Sequence, residues 1–209
     1  SYTWTAPNLV SDQVRLKVVA FDAVNLSSSD TSDFFSIYDL TPPSVSVVSP
    51  GTGFSIPEYD SLTVTWNATD NIAMDSIRVY YSNDDGESFT YMGQTAHPEE
   101  SYSFLVPFGI TGNAQVKLEA VDIYGNQGEG ISDDFTVTDN TPPDVSVYTP
   151  GNVYISETLM ISWEANDNTE IISNDIYFSS DSGLTFTLVD SVSARATSNT
   201  DNSGRANNA

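Results

Sequence analysis

Through the middle of the chain, apolar residues fall at every second position in short runs, with polar and turn-forming residues between the runs. Val45 and Val47 alternate with serine, Leu62, Val64 and Trp66 alternate with threonine, and Ile77, Val79 and Tyr81 continue the pattern. Asn83-Asp84-Asp85-Gly86 supplies turn chemistry before Phe89 and Tyr91. Tyr102 and Phe104 follow, then Val116, Leu118 and Ala120, and finally Phe135 and Val137. A period of two places alternate side chains on opposite faces of an extended strand, and Gly, Asn, Asp and Pro between the runs mark the reversals. No window of eleven or more residues carries a helical stripe. Seven short strands in about a hundred residues predict an all-β fold, a seven-stranded antiparallel β-sandwich. Trp66 is the largest apolar side chain in the pattern and is expected between the sheets, where removing it would cost about 3–5 kcal/mol.

The pattern then repeats. Trp4, Leu16, Val18, Phe35, Ile37 and Asp39 answer to Phe104, Val116, Leu118, Phe135, Val137 and Asp139, and Thr41-Pro42-Pro43 returns as Thr141-Pro142-Pro143. After a short deletion, Trp163 answers to Trp66, Asp167-Asn168 to Asp70-Asn71, and Ile176 and Phe178 to Val79 and Tyr81. A fixed period is the mark of a tandem array. Its phase predicts a C-terminal half-module in 1–40 with the last three strands, a complete module in 41–140, and an N-terminal half-module in 141–190 with the first four strands. The remaining 191–209, rich in Ser, Thr, Asn and Ala, is expected to be a disordered or non-module tail. With Ser1 inside a module, an upstream start is expected.

Each half-module would expose half a core: Trp4, Leu16, Val18, Phe35 and Ile37 in one, Leu159, Ile161, Trp163, Ile176 and Phe178 in the other. Burying such a side chain is worth roughly 1.5–3 kcal/mol. Unpaired edges and apolar faces invite strand complementation between copies, and a head-to-tail contact propagates as an open filament unless it closes a ring. A boundary cut arbitrarily within a longer array gives the same phase, so the sequence leaves both readings open.

Charge narrows the partners. Twenty-nine acids face only six Lys plus Arg, for a formal net charge of -23. Nucleic acid needs a basic surface, and so does docking on anionic lipid, so neither is expected. No run approaches the roughly 18 apolar residues of a membrane helix, so membrane insertion is not expected either. Without cysteine, neither a disulfide framework nor a thiolate metal site exists. Catalysis finds little: the one imidazole, His97, sits beside Pro98-Glu99-Glu100 in a polar loop. Pairs such as Asp84-Asp85 and Asp133-Asp134 are ordinary in so acidic a chain and do not by themselves mark a glycosidase. The sequons Asn67-Ala68-Thr69 and Asn25-Leu26-Ser27 are given no role. The chain is therefore expected not to be an enzyme.

Calcium is the one cofactor the residues suggest. In a seven-strand order, the loop after the second strand and the loop before the last strand lie at the pole where the chain enters. That would gather Asp39, Asp70, Asn71 and Asp122 at one junction, and Asp139, Asn140, Asp167 and Asn168 at the next, with Asp84 or Asp85 from the opposite loop. Calcium takes six to eight hard oxygen ligands of this kind. Turn formation through Asp and Asn side chains accounts for the same residues, and both readings stand.

The stretch Val116 to Pro143, with Ala120-Val121-Asp122, Gly125-Asn126 and Asp139-Asn140-Thr141-Pro142-Pro143, resembles bacterial immunoglobulin-like and fibronectin-III-like repeats. So does Trp66 followed by Ala68-Thr69-Asp70-Asn71. Asp139-Asn140-Thr141-Pro142 is similar to the calcium-holding linker of cadherin-like repeats, with Leu40 standing where the second copy has Asn140. The resemblance implies an extracellular or cell-surface structural module: a stalk, a spacer or a surface fibre. Other copies or neighbouring modules would be its partners, and Pro42-Pro43 and Pro142-Pro143 would stiffen its junctions. The alternative it implies is an adhesion or accessory module that binds polysaccharide or a surface protein through Tyr80, Tyr91, Phe108 or Tyr124.

Overall fold

The computed structural model describes residues 1–193, which form strands joined by turns and loops. The chain divides into two units, Ser1–Thr138 and the stretch from Asp139 onward. The first unit opens with four short strands: β1 (Ser11–Val14), β2 (Lys17–Phe21), β3 (Ser27–Thr31) and β4 (Phe35–Ile37). The complete module follows as β5 (Ser44–Ser49), β6 (Ser55–Pro57), β7 (Ser61–Thr69), β8 (Met74–Ser82), β9 (Thr90–Ala96), β10 (Ser101–Leu105), β11 (Thr111–Asp122), β12 (Gln127–Ile131) and β13 (Phe135–Thr138). The second unit carries β14 (Asp144–Tyr148), β15 (Ser162–Asn166), β16 (Ser173–Phe178) and β17 (Thr187–Ser193).

The complete module is a two-sheet sandwich. One sheet has the order β10-β7-β5, and the other runs β6-β13-β11-β8-β9, with β12 also paired to β11. All ladders are antiparallel except β6 on β13. Register places Val47 opposite Trp66 and Leu118 opposite Val79. Because alternate side chains share a face, the inward set from both sheets makes one core: Leu62, Val64, Trp66, Ile77, Val79, Tyr81, Phe104, Val116, Leu118, Ala120, Phe135 and Val137 are all buried. The alternation read along the chain picks out these twelve, while Ile56, Val106 and Ala114 join the core without it and Tyr91, read in the same pattern, is exposed.

The strand list differs from the expected seven in two places. A short β6 adds to the edge, and the last strand is broken into β12 and β13, both paired to β11. Gln127–Ile131 reads QGEGI, with no apolar alternation to announce a strand. Its glycines have another reason. A Cβ built on Gly128 would sit 1.8 Å from the carbonyl oxygen of Pro43, and one on Gly130 would sit 2.6 Å from that of Val45. The backbone of β12 therefore closes against β5, where only glycine fits.

The half-modules form the strands whose partners are present and lack those whose partners are absent. In the complete module β10 has only β7 for a ladder neighbour. The matching residues 1–5 have no such neighbour and carry no strand, so the strand expected over Tyr2 and Trp4 does not form. The equivalents of β11, β12 and β13 do form, as β1 with β2, β3 and β4. The second unit shows the same rule inside one strand. In β7, Ser61 to Thr65 pair with β10 and Thr65 to Thr69 pair with β5. Strand β15 keeps only Ser162–Asn166, the part equivalent to the second half, and pairs it with β14. Strand β17 runs to Ser193, past the module end expected at 190. The rest of the expected tail, 194–209, lies outside the described residues.

Candidate functional site

Two features stand out: an acidic cluster at the entry pole of the complete module, and the open faces of the half-modules. The cluster is Asp39, Asp70 and Asp122, whose carboxylates each offer one oxygen within 4.8 Å of the others. They come from three segments, namely the linker after β4, the β7–β8 loop and the β11–β12 turn. Asp39 and Asp122 are buried, and Asp70 is half-buried. Three of the four residues expected at the first junction thus lie together.

Each carboxylate is aimed by backbone amides bonded to one of its oxygens. The N–H of Thr41 donates to Asp39 Oδ1 (3.0 Å). Those of Ile72 and Ala73 donate to Asp70 Oδ2 (2.9 and 3.1 Å). Those of Tyr124 and Asn126 donate to Asp122 Oδ1 (2.9 and 2.8 Å). The other oxygens fare differently. Asp39 Oδ2 and Asp70 Oδ1 are buried and have no hydrogen-bond partner among the described residues, while Asp122 Oδ2 accepts from the Asn126 amide at 2.7 Å. Burial opposes ionisation of Asp122, but the hydrogen bonds from Asn126, Tyr124 and Gly125 outweigh it and hold its carboxyl below the ordinary range. Two unit charges 4.8 Å apart repel by roughly 3–4 kcal/mol at an effective dielectric of about 20. The ion pairs among the described residues, Arg78–Glu119 and Lys117–Glu129, do not involve this cluster.

Asn71, expected as a ligand, donates its amide to Asp39 Oδ1 (3.2 Å) and to Asn8 Oδ1 (2.8 Å). Asn8 and Asn126 are the residues sequence reasoning left out of the site. Asn126 also reaches the main-chain carbonyl of Asp39 at 3.3 Å. The Asp-then-Asn spacing of four across the β11–β12 turn was a usable signal for it.

The second expected junction repeats part of this arrangement. The N–H of Thr141 donates to Asp139 Oδ1 at 2.8 Å, and Asp167 Oδ1 is buried without a partner, as its counterpart in Asp70 is. Here, however, the Thr169 hydroxyl lies between two carboxylates, 2.9 Å from Asp139 Oδ2 and 2.5 Å from Asp167 Oδ2, with one proton to share between them. Hydrogen bonds from Thr141 lead those that keep the Asp139 carboxyl below its ordinary range, and the Asn168 side chain adds to them. Asn140 is exposed. Asp84 is occupied in its own hairpin, accepting from the Ser82 hydroxyl at 2.6 Å and from the Ser88 hydroxyl at 2.5 Å, with the exposed Asp85 beside it.

The open faces are the second feature. Leu118 is fully buried, whereas its counterpart Val18 is 71% exposed. Tyr81 is 3% exposed and its counterpart Phe178 is 62% exposed. In the second unit the two hairpins leave a cleft of about 330 Å³ lined by Val145, Val147, Ile161, Trp163 and Ile176. Its lining matches interior positions from both sheets of the complete module, where Val45, Val64, Trp66 and Val79 are buried. The remaining candidates are dispersed. His97 is exposed at the end of β9, and the aromatics lie in three places: Tyr80 against Tyr91, Phe108 stacked on Tyr59, and Tyr124 in the β11–β12 turn.

Residues 43–142 match the sequence family described as bacterial Ig domain. The complete module is therefore a bacterial Ig-like domain, a generic structural or interaction unit of a class that is typically non-catalytic and commonly extracellular. Among solved structures, the chain is similar to the fibronectin(III)-like modules of CbhA from Clostridium thermocellum, at 16% identity and a TM-score of 0.39. That match covers 59% of this chain and 60% of the other. No curated protein matches the chain. No helix among the described residues is long and apolar enough to cross a membrane.

Proposed function

We propose that this chain is a non-catalytic structural element of an extracellular or cell-surface array, and that its half-modules complete themselves head-to-tail with strands from further copies. One observation carries the reading: strands form wherever a ladder neighbour is present, and β15 stops where its second neighbour would begin. The two half-modules are complementary in what they have and lack. Residues 1–40 hold the counterparts of β11, β12 and β13; in the complete module β11 pairs with β8, and β13 with β6. The stretch from Asp139 to Ser193 holds the counterparts of β5, β7, β8 and β9. Joined between copies, they bury the faces that carry Leu16, Val18, Ile161 and Phe178, each worth roughly 1.5–3 kcal/mol when covered.

Light scattering coupled to size exclusion, at micromolar protein, tests this directly. The expected result is a ladder of masses above the monomer, with the V18D variant collapsing to monomer while its complete module stays folded. A compact monomer for the unmodified chain sinks the proposal.

A further inference from the structure

We propose that Asp39, Asp70 and Asp122 bind one divalent, oxygen-preferring cation of the calcium class, which clamps the entry linker onto the two loops of the complete module. This inference does not depend on how the half-modules find partners. The cluster alone would not support it, since acids are abundant here. What points to a ligand is the Asp39 side chain: it is only 8% exposed, and its Oδ2 has no hydrogen-bond partner among the groups around it. Asp70 Oδ1 is left bare in the same way. A buried carboxylate oxygen without a donor is costly unless a positive charge meets it.

The size fits. Oxygens about 2.4 Å from one calcium ion lie at most about 4.8 Å apart, and the three ligand atoms here fall within 4.8 Å. The backbone amides already fix the orientation of each carboxylate, so binding needs little rearrangement. Asn126 braces the arrangement by joining Asp122 to the linker carbonyl.

The second unit supplies a comparison within the molecule. Its Thr169 stands where the first unit has Ile72, and the Thr169 hydroxyl sits between Asp139 Oδ2 and Asp167 Oδ2 with a proton for one of them. Isoleucine offers no hydroxyl, so the equivalent oxygen of Asp39 receives no hydrogen bond from that position. The first junction is the cation site, and the second is satisfied in part by its own threonine.

The test is titration of the chelator-treated full chain with calcium chloride, followed by calorimetry and thermal unfolding, with sodium chloride at matched ionic strength as a control for simple screening of the -23 charge. Calcium is expected to raise the melting temperature by several degrees beyond the sodium control. D39N is expected to bind at least ten-fold more weakly and to lose the shift, yet to melt higher than the unmodified chain in chelator, because one repelling charge is gone. D139N is expected to keep the shift. D70N is the second probe should D39N fail to fold. A sodium control that reproduces the shift, or D39N and D70N variants that retain it, overturns the proposal.

Discussion

Tyr81 shows how one atom can be out of keeping with its surroundings. Its ring packs edge-on to Phe104 at 6.0 Å and tilts against Phe135 at 6.4 Å, while its hydroxyl, buried in the core, finds no partner among the described residues. Burial pushes the phenol up to about 12. The chain itself places a phenylalanine, Phe178, at the equivalent position of the next module. Removing an unsatisfied buried hydroxyl while keeping the ring is close to neutral or stabilising. The Y81F variant is therefore expected to match the unmodified chain or exceed it by up to about 1 kcal/mol at pH 7 in urea unfolding. The sign at high pH follows from linkage: an unfolded tyrosine ionises near pH 10 and the folded one near 12, so the unfolded state sheds its proton first. Stability should fall across that window in the unmodified chain and fall less in Y81F.

Hairpins are the next scale up, and the β8–β9 and β16–β17 turns are built alike. Asp84 accepts from Ser82 and Ser88, and Asp181 from Thr185 and Ser179, with Asp85, Gly86, Ser182 and Gly183 at positive φ. Those hydrogen bonds, led by Ser82 at Asp84 and by Thr185 at Asp181, hold both carboxyls at about 2. A folded value below the ordinary value of about 3.9 means the contribution is complete above pH 4 and is lost as pH falls toward 2. D84A is thus expected to unfold more easily than the unmodified chain at pH 5–7 and to converge with it near pH 2, as followed by tryptophan fluorescence.

Elements also show what the sequence could reveal. Period-two alternation marked the strands that bury a face, from Leu62 through Val137, because burial and pairing agree there. It missed β12, whose identity depends on the nearness of Pro43 and Val45, a long-range fact invisible in QGEGI. It also predicted a strand over Tyr2 and Trp4 that requires a β7 equivalent to exist. The acids at Asp39, Asp70 and Asp122 were legible as one cluster because strand order alone brings three loops to one pole. Asn8 was not, since its contact with Asn71 depends on how the residues before β1 lie against the module.

For the molecule as a whole, charge opposes the head-to-tail association proposed above. At -23 per chain, neighbouring copies repel, and the repulsion is screened over about 8 Å at 0.15 M salt and about 30 Å at 0.01 M. Complementation is therefore expected to be weaker at 10 mM than at 150 mM sodium chloride, visible as a shift of sedimentation toward monomer at low salt. An assembly held by exposed ion pairs would show the opposite trend.

The parallel pairing of β6 with β13 bears on tension. These strands lie near the entry and the exit of the complete module, joined by the amide of Thr136 to Phe54 and by the amide of Glu58 to Thr138. A pull applied through the flanking linkers draws the two strands past each other in shear. Both bonds are loaded at once instead of opening one after the other, so the module meets stretching with its ends locked side by side.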